Sequence, residues 1–196
     1  MEISKKKLVG SYIAVATVAF IVGALLFYPI ATSKLWFVDV NMQFREWHNR
    51  VDVTIIRANG EIEEFSTPNI VVTIGLKRIR NFLNGNASNP TNATKYIALS
   101  NDSSPDASWT KLPNEYTSYG LSRAEGTVTI LNATALKVEH TWTCTADSIQ
   151  VQCTGLHWNS TSNSDGNLFA AATFTQVTLN TNDQIKITWT INSKSG

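Results

Sequence analysis

From residue 36 onward much of the chain is written in a two-residue period. Trp36, Val38, Val40, Met42 and Phe44 fall on one side, and Asp39, Asn41, Gln43 and Arg45 on the other, with Phe37 the exception. Such alternation predicts a long, half-buried strand. The chain can turn at Trp47-His48-Asn49-Arg50, after which Val51, Val53 and Ile55 continue the pattern on a second strand. Asn59-Gly60 is a hairpin signal, followed by a short run over 61–65 and an apolar, β-branched run over 69–74. The period then changes: Leu76, Ile79, Phe82 and Leu83 recur at helical spacing, and Asn84-Gly85 is suited to end a helix.

Beyond a polar loop over 85–94, a strand is predicted at 96–99 and a loop at 101–106. Residues 126–131 alternate and turn at Asn132-Ala133 into a strand carrying Leu136, Val138, His140, Trp142 and Cys144 on one face. Residues 149–156 follow a turn near Asp147-Ser148, and 159–167 form a second polar loop. The last strand is the clearest, with Ile185, Ile187, Trp189 and Ile191 alternating with Lys186, Thr188, Thr190 and Asn192. Many β segments with polar loops and one short helix predict a mainly β chain, an antiparallel β-sandwich or jelly-roll-like domain. The expected division is 1–33, then 34–58 as N-terminal strands, then 59–196 as the β domain.

The N-terminus has neither period. Residues 8–33 carry no charge, and Lys5-Lys6-Lys7 stands directly before them. As a helix, residues 8–28 would span roughly 30 Å, enough to cross a bilayer. The lysines place the N-terminus on the cytoplasmic side and the chain from Lys34 outside. Three readings stay open: a retained anchor crossing the membrane through residues 8–30, a signal peptide cut near Ala31-Thr32-Ser33, and a prepilin-type leader cut after Gly10. All three export the rest of the chain to the cell surface or beyond.

Composition fits that placement. Sixteen Lys+Arg against fifteen Asp+Glu give a net charge of +1, and charged residues are only 16%. That balance excludes a basic nucleic-acid clamp. Eighteen Asn, 23 Thr and 17 Ser supply the polarity instead. Outside the cytosol, Cys144 and Cys153 are expected to pair as a disulfide across a hairpin. Export also makes five Asn-x-Ser/Thr sequons, at Asn86, Asn92, Asn101, Asn132 and Asn159, candidates for N-glycans. Their number is about what the composition alone would yield, so their placement in predicted turns and loops carries the information.

Catalytic chemistry is hard to assemble. His140 is expected as a hydrogen-bonded core residue, His48 lies in a predicted turn and His157 at a loop edge, and no pair has metal-ligand spacing. Residues 163–167 are oxygen-rich but lack the acidic residue that closes a calcium loop, so a plain turn is expected. Lys77, Arg78 and Arg80 are expected on a solvated helix face. No nucleophile elbow or phosphate loop is present. The expectation is a non-enzyme without cofactor.

The sheet edges remain. A strand at 36–44 has two possible partners. One is its own chain, with residues 50–57 as the hairpin partner. The other is a neighbouring subunit, into which Trp36, Val38, Val40, Met42 and Phe44 would be donated head to tail. Five such side chains would bury roughly 10 kcal/mol of transfer free energy at about 2 kcal/mol each, before ordering costs.

One stretch carries a resemblance. The order is Asn69, Gly75-Leu76, Leu83-x-Gly85 and Tyr96-Ile97-Ala98-Leu99, then Gly120-Leu121-x-Arg123-Ala124 and Gly155-Leu156. It continues through Leu168-x-Ala170 and Phe174-x-x-Val177 to Asp183-Gln184-Ile185-x-Ile187-Thr188-Trp189-Thr190. This pattern, over about 69–191, resembles a family of phage tail-fibre-associated β proteins, and implies a non-catalytic structural or adhesive module of an extracellular fibre. The apolar leader and the cysteine pair lie outside that pattern. The whole layout, with apolar leader, alternating N-terminal strand and sequon-bearing β head, is similar to the donor-strand pilins of archaeal thread-like filaments. It implies copies of the chain itself as partners. The expected function is the repeating subunit of such a filament, with an anchored or virion-associated surface protein acting as a binding module as the alternative.

Overall fold

A computed structural model describes residues 50–85 and 92–192, all of them within one compact unit, 47–194. The expected apolar N-terminal helix and the strand at 36–44 lie outside the described residues. No helix among the described residues is long and apolar enough to cross a membrane.

The elements run β1 (Arg50–Ile56), β2 (Ile62–Pro68), β3 (Ile70–Val71), α1 (Thr73–Leu83), β4 (Tyr96–Ser100), β5 (Ala124–Glu125), β6 (Thr127–Asn132), β7 (Ala135–Thr143), β8 (Ile149–His157), β9 (Leu168–Leu179) and β10 (Gln184–Asn192). They make two antiparallel five-stranded sheets, in the orders β2-β1-β10-β7-β6 and β3-β9-β8-β4-β5. The described residues are thus mainly β with one short helix, and their architecture is consistent with a β-sandwich. One continuous core draws on both sheets: Val51, Val53, Ile55, Ile185, Ile187 and Trp189 from the first, Ile97, Leu99, Val151 and Leu156 from the second.

The first sheet keeps one face wet, which is why its strands alternate so cleanly. Val51, Val53 and Ile55 pair directly with Trp189, Ile187 and Ile185, and all six are fully buried. The opposite face carries charge, with Glu139 held by Lys137 and Lys186 at 3.0 Å each. The second sheet is covered on both faces. On its outer side, Ala98, Leu112 and Cys153 form one apolar cluster and Val72, Leu168 and Ala171 another, with Trp109 against both. β9 is accordingly buried from Leu168 through Ala172 without a break. Sequence periodicity gives no sign of this first half of the strand, because a run buried on both faces has no polar side to alternate with; only from Thr173 on do exposed Thr175, Gln176 and Thr178 interrupt it.

Both ends of the layered pair are closed by a chain that changes sheets. β2 belongs to the first sheet and β3, one residue later, to the second. At the other end β5 belongs to the second sheet and β6 to the first, with Gly126 between them. Gly126 has no room for a side chain: a Cβ there would lie 2.6 Å from Val138 Cγ1. The apolar run at 69–74 is therefore not one strand. It supplies β3 and then enters α1 at Thr73, whose N–H bonds to the Ala107 carbonyl at 2.8 Å.

Of the helix's apolar spacing only Ile79 packs against the core. Leu76, Phe82 and Leu83 are exposed, and the buried residue is Gly75. A Cβ on Gly75 would overlap the backbone carbonyl of Phe169 in β9, so close approach selects glycine here. Arg78, expected on the solvated face, lies over the Trp158 ring at 4.6 Å and donates to the Asn92 carbonyl. Gly75→Ala should lower stability by roughly 1–3 kcal/mol, the usual range for overpacking, and a thermal melt followed by circular dichroism will show it. An unchanged midpoint would mean that the helix is free to lift off β9.

Candidate functional site

Two features of the described residues bear on function: a buried polar cluster outside the second sheet, and the sheet edges.

The cluster is built by two long loops that cover the second sheet. Glu115 and Arg123, both in the segment between β4 and β5 with Arg123 directly before β5, form a two-pronged ion pair: Nε to Oε1 at 2.8 Å and Nη2 to Oε2 at 2.7 Å. Both side chains are fully buried. Arg123 Nη1 donates to the Asn159 carbonyl at 2.9 Å and to Asn167 Oδ1 at 3.0 Å, while Asn163 N–H donates to Glu115 Oε2 at 2.8 Å. Asn167 Nδ2 donates to the Ser164 carbonyl at 2.7 Å, which fixes Oδ1 as the atom facing His157 Nδ1, also at 2.7 Å. His157 therefore donates from Nδ1 and leaves Nε2 bare. That nitrogen is buried without a hydrogen-bond partner. Burial foremost, and then the Arg123 charge, push the imidazole down to about 3, so it is neutral.

The sequence placed His157 at a loop edge and His140 in the core. His157 is fully buried, whereas His140 is half-buried, with Nδ1 3.0 Å from the Glu125 carbonyl and its ring edge-on to Trp142. The oxygen-rich loop at 163–167 serves the cluster as structure, since Asn163 and Asn167 are two of its members. Among the described residues no group of three or more His, Cys, Asp or Glu is placed to hold a metal ion.

A second polar knot joins the β1–β2 turn to the connection between β9 and β10. Asp183 accepts from Ala58 N–H at 2.9 Å, Asn180 N–H at 3.0 Å and Arg57 Nη1 at 3.0 Å, and Arg57 also reaches Glu63 and the Thr178 carbonyl. Burial alone would raise the Asp183 carboxyl, but these donors outweigh it and hold it below the usual range. Arg57, Asn59, Thr178 and Asn180 line an open depression here, of about 470 Å³.

The cysteines do not pair. Cys144 and Cys153 are both free and buried. The expected hairpin between them does not exist, because β7 belongs to the first sheet and β8 to the second. Cys144 sits in the core between the sheets, and Cys153 points to the outer side of the second sheet with Ala98 and Leu112. Burial pushes the Cys153 thiol up to about 12, which leaves it an inert thiol.

Of the sequon asparagines, Asn92, Asn101 and Asn132 are exposed, Asn159 is half-buried, and Asn86 lies outside the described residues. Asn132 ends β6, and its Oδ1 accepts from Thr134 N–H at 2.8 Å and Oγ1 at 3.1 Å.

Trp36, Val38, Val40, Met42 and Phe44 lie outside the described residues, as does His48. Their expected intramolecular partner, however, is described. β1 pairs along its whole length with β10 on one side and with β2 on the other. Residues 50–56 thus have no edge left to form a hairpin with 36–44, which corrects that alternative. They belong to the β domain rather than with an N-terminal pair of strands.

The edges of the first sheet are β2 and β6, and they differ sharply. β2 carries Glu63, Glu64 and Pro68, which discourage pairing. β6, Thr-Val-Thr-Ile-Leu-Asn, has no charge and no proline, and all six residues are exposed. No known protein family matches the chain, and no curated protein is similar to it.

Removing one half of the buried pair tests the cluster. Arg123→Met should cost about 3–5 kcal/mol by stranding Glu115, and Glu115→Gln in the same chain should restore part of it. Denaturant titrations of the single and double variants give both numbers. The histidine predicts a pH dependence. Unfolded, it takes up a proton below about 6.5; folded, it does so only near 3. Stability is therefore complete above about pH 6.5 and falls between that value and 3. Going from pH 7.5 to 5.0 should cost about 2 kcal/mol in the wild type, and His157→Gln should flatten that slope. For the thiols, the melting midpoint should be the same with and without reductant, and a thiol reagent should count two groups only after unfolding.

Proposed function

We propose that this protein is the repeating structural subunit of an extracellular filament, exported to the cell surface and assembled by strand donation between copies. Residues 36–44 of one subunit, through Trp36, Val38, Val40, Met42 and Phe44, add a strand to the next. The β domain is a non-catalytic sandwich with a jelly-roll-like character, needing no cofactor, and its polar loops suit glycan cover at Asn92, Asn101 and Asn132.

The observation that carries this reading is the absence of a free edge on β1. Read as a strand from its alternation, the segment 36–44 would carry five large apolar side chains on one face, and such a face has to be buried somewhere. The nearest element in sequence, which would otherwise receive it in a hairpin, is already paired on both sides. The layout shared with donor-strand pilins points the same way, as does the pattern shared with tail-fibre-associated β proteins. The inert character of the polar groups also fits: the buried ions are paired, the histidine is locked neutral and the thiols are shielded.

The full-length protein, isolated from the surface of expressing cells, should give a ladder of oligomers on a denaturing gel when unheated, collapsing to monomer on boiling. Val40→Lys should abolish the ladder. A wild-type monomer under both conditions, with residues 36–44 resistant to protease, would remove strand donation and favour an anchored surface protein that acts by binding.

A further inference from the structure

Among the described residues, the β6 edge of the first sheet stands open. In an antiparallel pair, residues directly opposite each other point to the same face. Val128 pairs with Val138 and Ile130 with Leu136. Val138 is fully buried in the core and Leu136 packs against it, so Val128 and Ile130 extend the core face of the first sheet by one more strand. Yet Val128 is 44% and Ile130 71% exposed. The cover that the second sheet gives to its other strands stops short here, because its edge strand β5 is only two residues long.

The other edges are short or guarded. β3 and β5 have two residues each, β2 carries acidic residues and a proline, and the part of β9 beyond β3 is met by β2, where Thr67 Oγ1 donates to the Thr173 carbonyl at 2.7 Å and Phe65 packs on Phe174. β6 has a bulge between Ile130 and Asn132 but no charge, and β7 is its sole paired neighbour among the described residues. A long, uncharged edge with exposed apolar residues on its core side is a template for another strand.

Resting on the strand-donation reading, we propose that the open edge of β6 is the acceptor, and that its occupant is the 36–44 strand of a second copy. Laid along β6 with its apolar row in line with Val128 and Ile130, the nine-residue segment 36–44 is long enough to cover all six residues of that edge, 127–132. In this register the apolar row of the donor continues the face that carries Val128 and Ile130, while Asp39, Asn41 and Gln43 face outward.

The chain's own strand is a poor occupant on grounds of reach. Arg50 lies in one cross-strand row with Thr190, Lys137 and Thr129. From β1 to a strand beyond β6 is four inter-strand steps, about 19 Å at about 4.8 Å each. The link from Phe44 to Arg50 reaches about 20–22 Å only when fully extended. Self-docking would hold it taut across the face of the sheet, whereas a second copy meets no such restraint.

The test uses full-length chains. Ile130→Lys, at an exposed site, should fold with an unchanged melting midpoint and lose the heat-sensitive ladder at least tenfold. Ile62→Lys, at the equally exposed β2 edge, should keep it. Mixing Ile130→Lys, which retains its donor, with Val40→Lys, which retains its acceptor, should give dimers and nothing longer. If Val40→Lys abolishes the ladder but Ile130→Lys polymerises like wild type, donation stands and β6 is not the acceptor. If neither variant alters a wild-type ladder, both readings fall. If the wild type is monomeric at every concentration and Ile130→Lys exposes residues 36–44 to protease, the strand docks on its own β6 and the second copy is overturned.

Discussion

A fully buried ion pair sets the terms for half of this molecule. Glu115 and Arg123 have left water completely, so every remaining lone pair and N–H around them has to be matched within the protein. The matching is done by the loop after β8, through the Asn159 carbonyl, Asn163 N–H and the Asn167 amide. The loop over 101–123 and the loop over 158–167 are thereby fastened to each other and to the outer face of the second sheet. Their grip is what dries Cys153, Ala98 and Leu112 and locks His157 in its neutral form. Two long polar loops that read as surface are, at their contact, interior.

The same covering determines where the molecule is open. With loops and α1 occupying the outer side of the second sheet, its edge strands shrink to two residues each, β2 meets β9 beyond β3 through Thr67 and Phe65, and the connections at Asn69 and Gly126 pass from one sheet to the other. The first sheet pays for its wet face with full-length edges. One is guarded by glutamates and a proline; the other, β6, is bare and apolar. A subunit that polymerises by exchanging strands needs one unguarded edge and one unpaired strand, and a surface otherwise unattractive to neighbours. The low charge and high Asn, Thr and Ser content suit a surface that lies close to other copies.

Legibility in the sequence tracked solvent. Where a strand has one wet face, alternation found it: β1 and β10 bury the residues the period picked out, Val51, Val53 and Ile55 against Ile185, Ile187 and Trp189. The Asn59-Gly60 turn was equally plain, with Gly60 at φ +88°. Where a strand is dry on both faces the signal vanished. β9, the longest strand among the described residues, opens with the run Leu168 to Ala172, apolar and buried on both faces, and periodicity passed over it. The charged members of the buried cluster, Glu115 and Arg123, had no local mark either. Eight residues apart in an irregular segment, they look like two solvated charges, and only three-dimensional burial makes them a unit.

Sequence by itself determined the β class, the short helix and the register faces of the first sheet, because those follow from local periodicity and side-chain chemistry. Tertiary structure alone decided which strands share a sheet. That choice separates Cys144 from Cys153, closes both edges of β1, buries His157 rather than His140 and leaves β6 open. The physical reason is that pairing between distant strands depends on which surfaces remain uncovered after every other element has packed, and no local window of sequence contains that information.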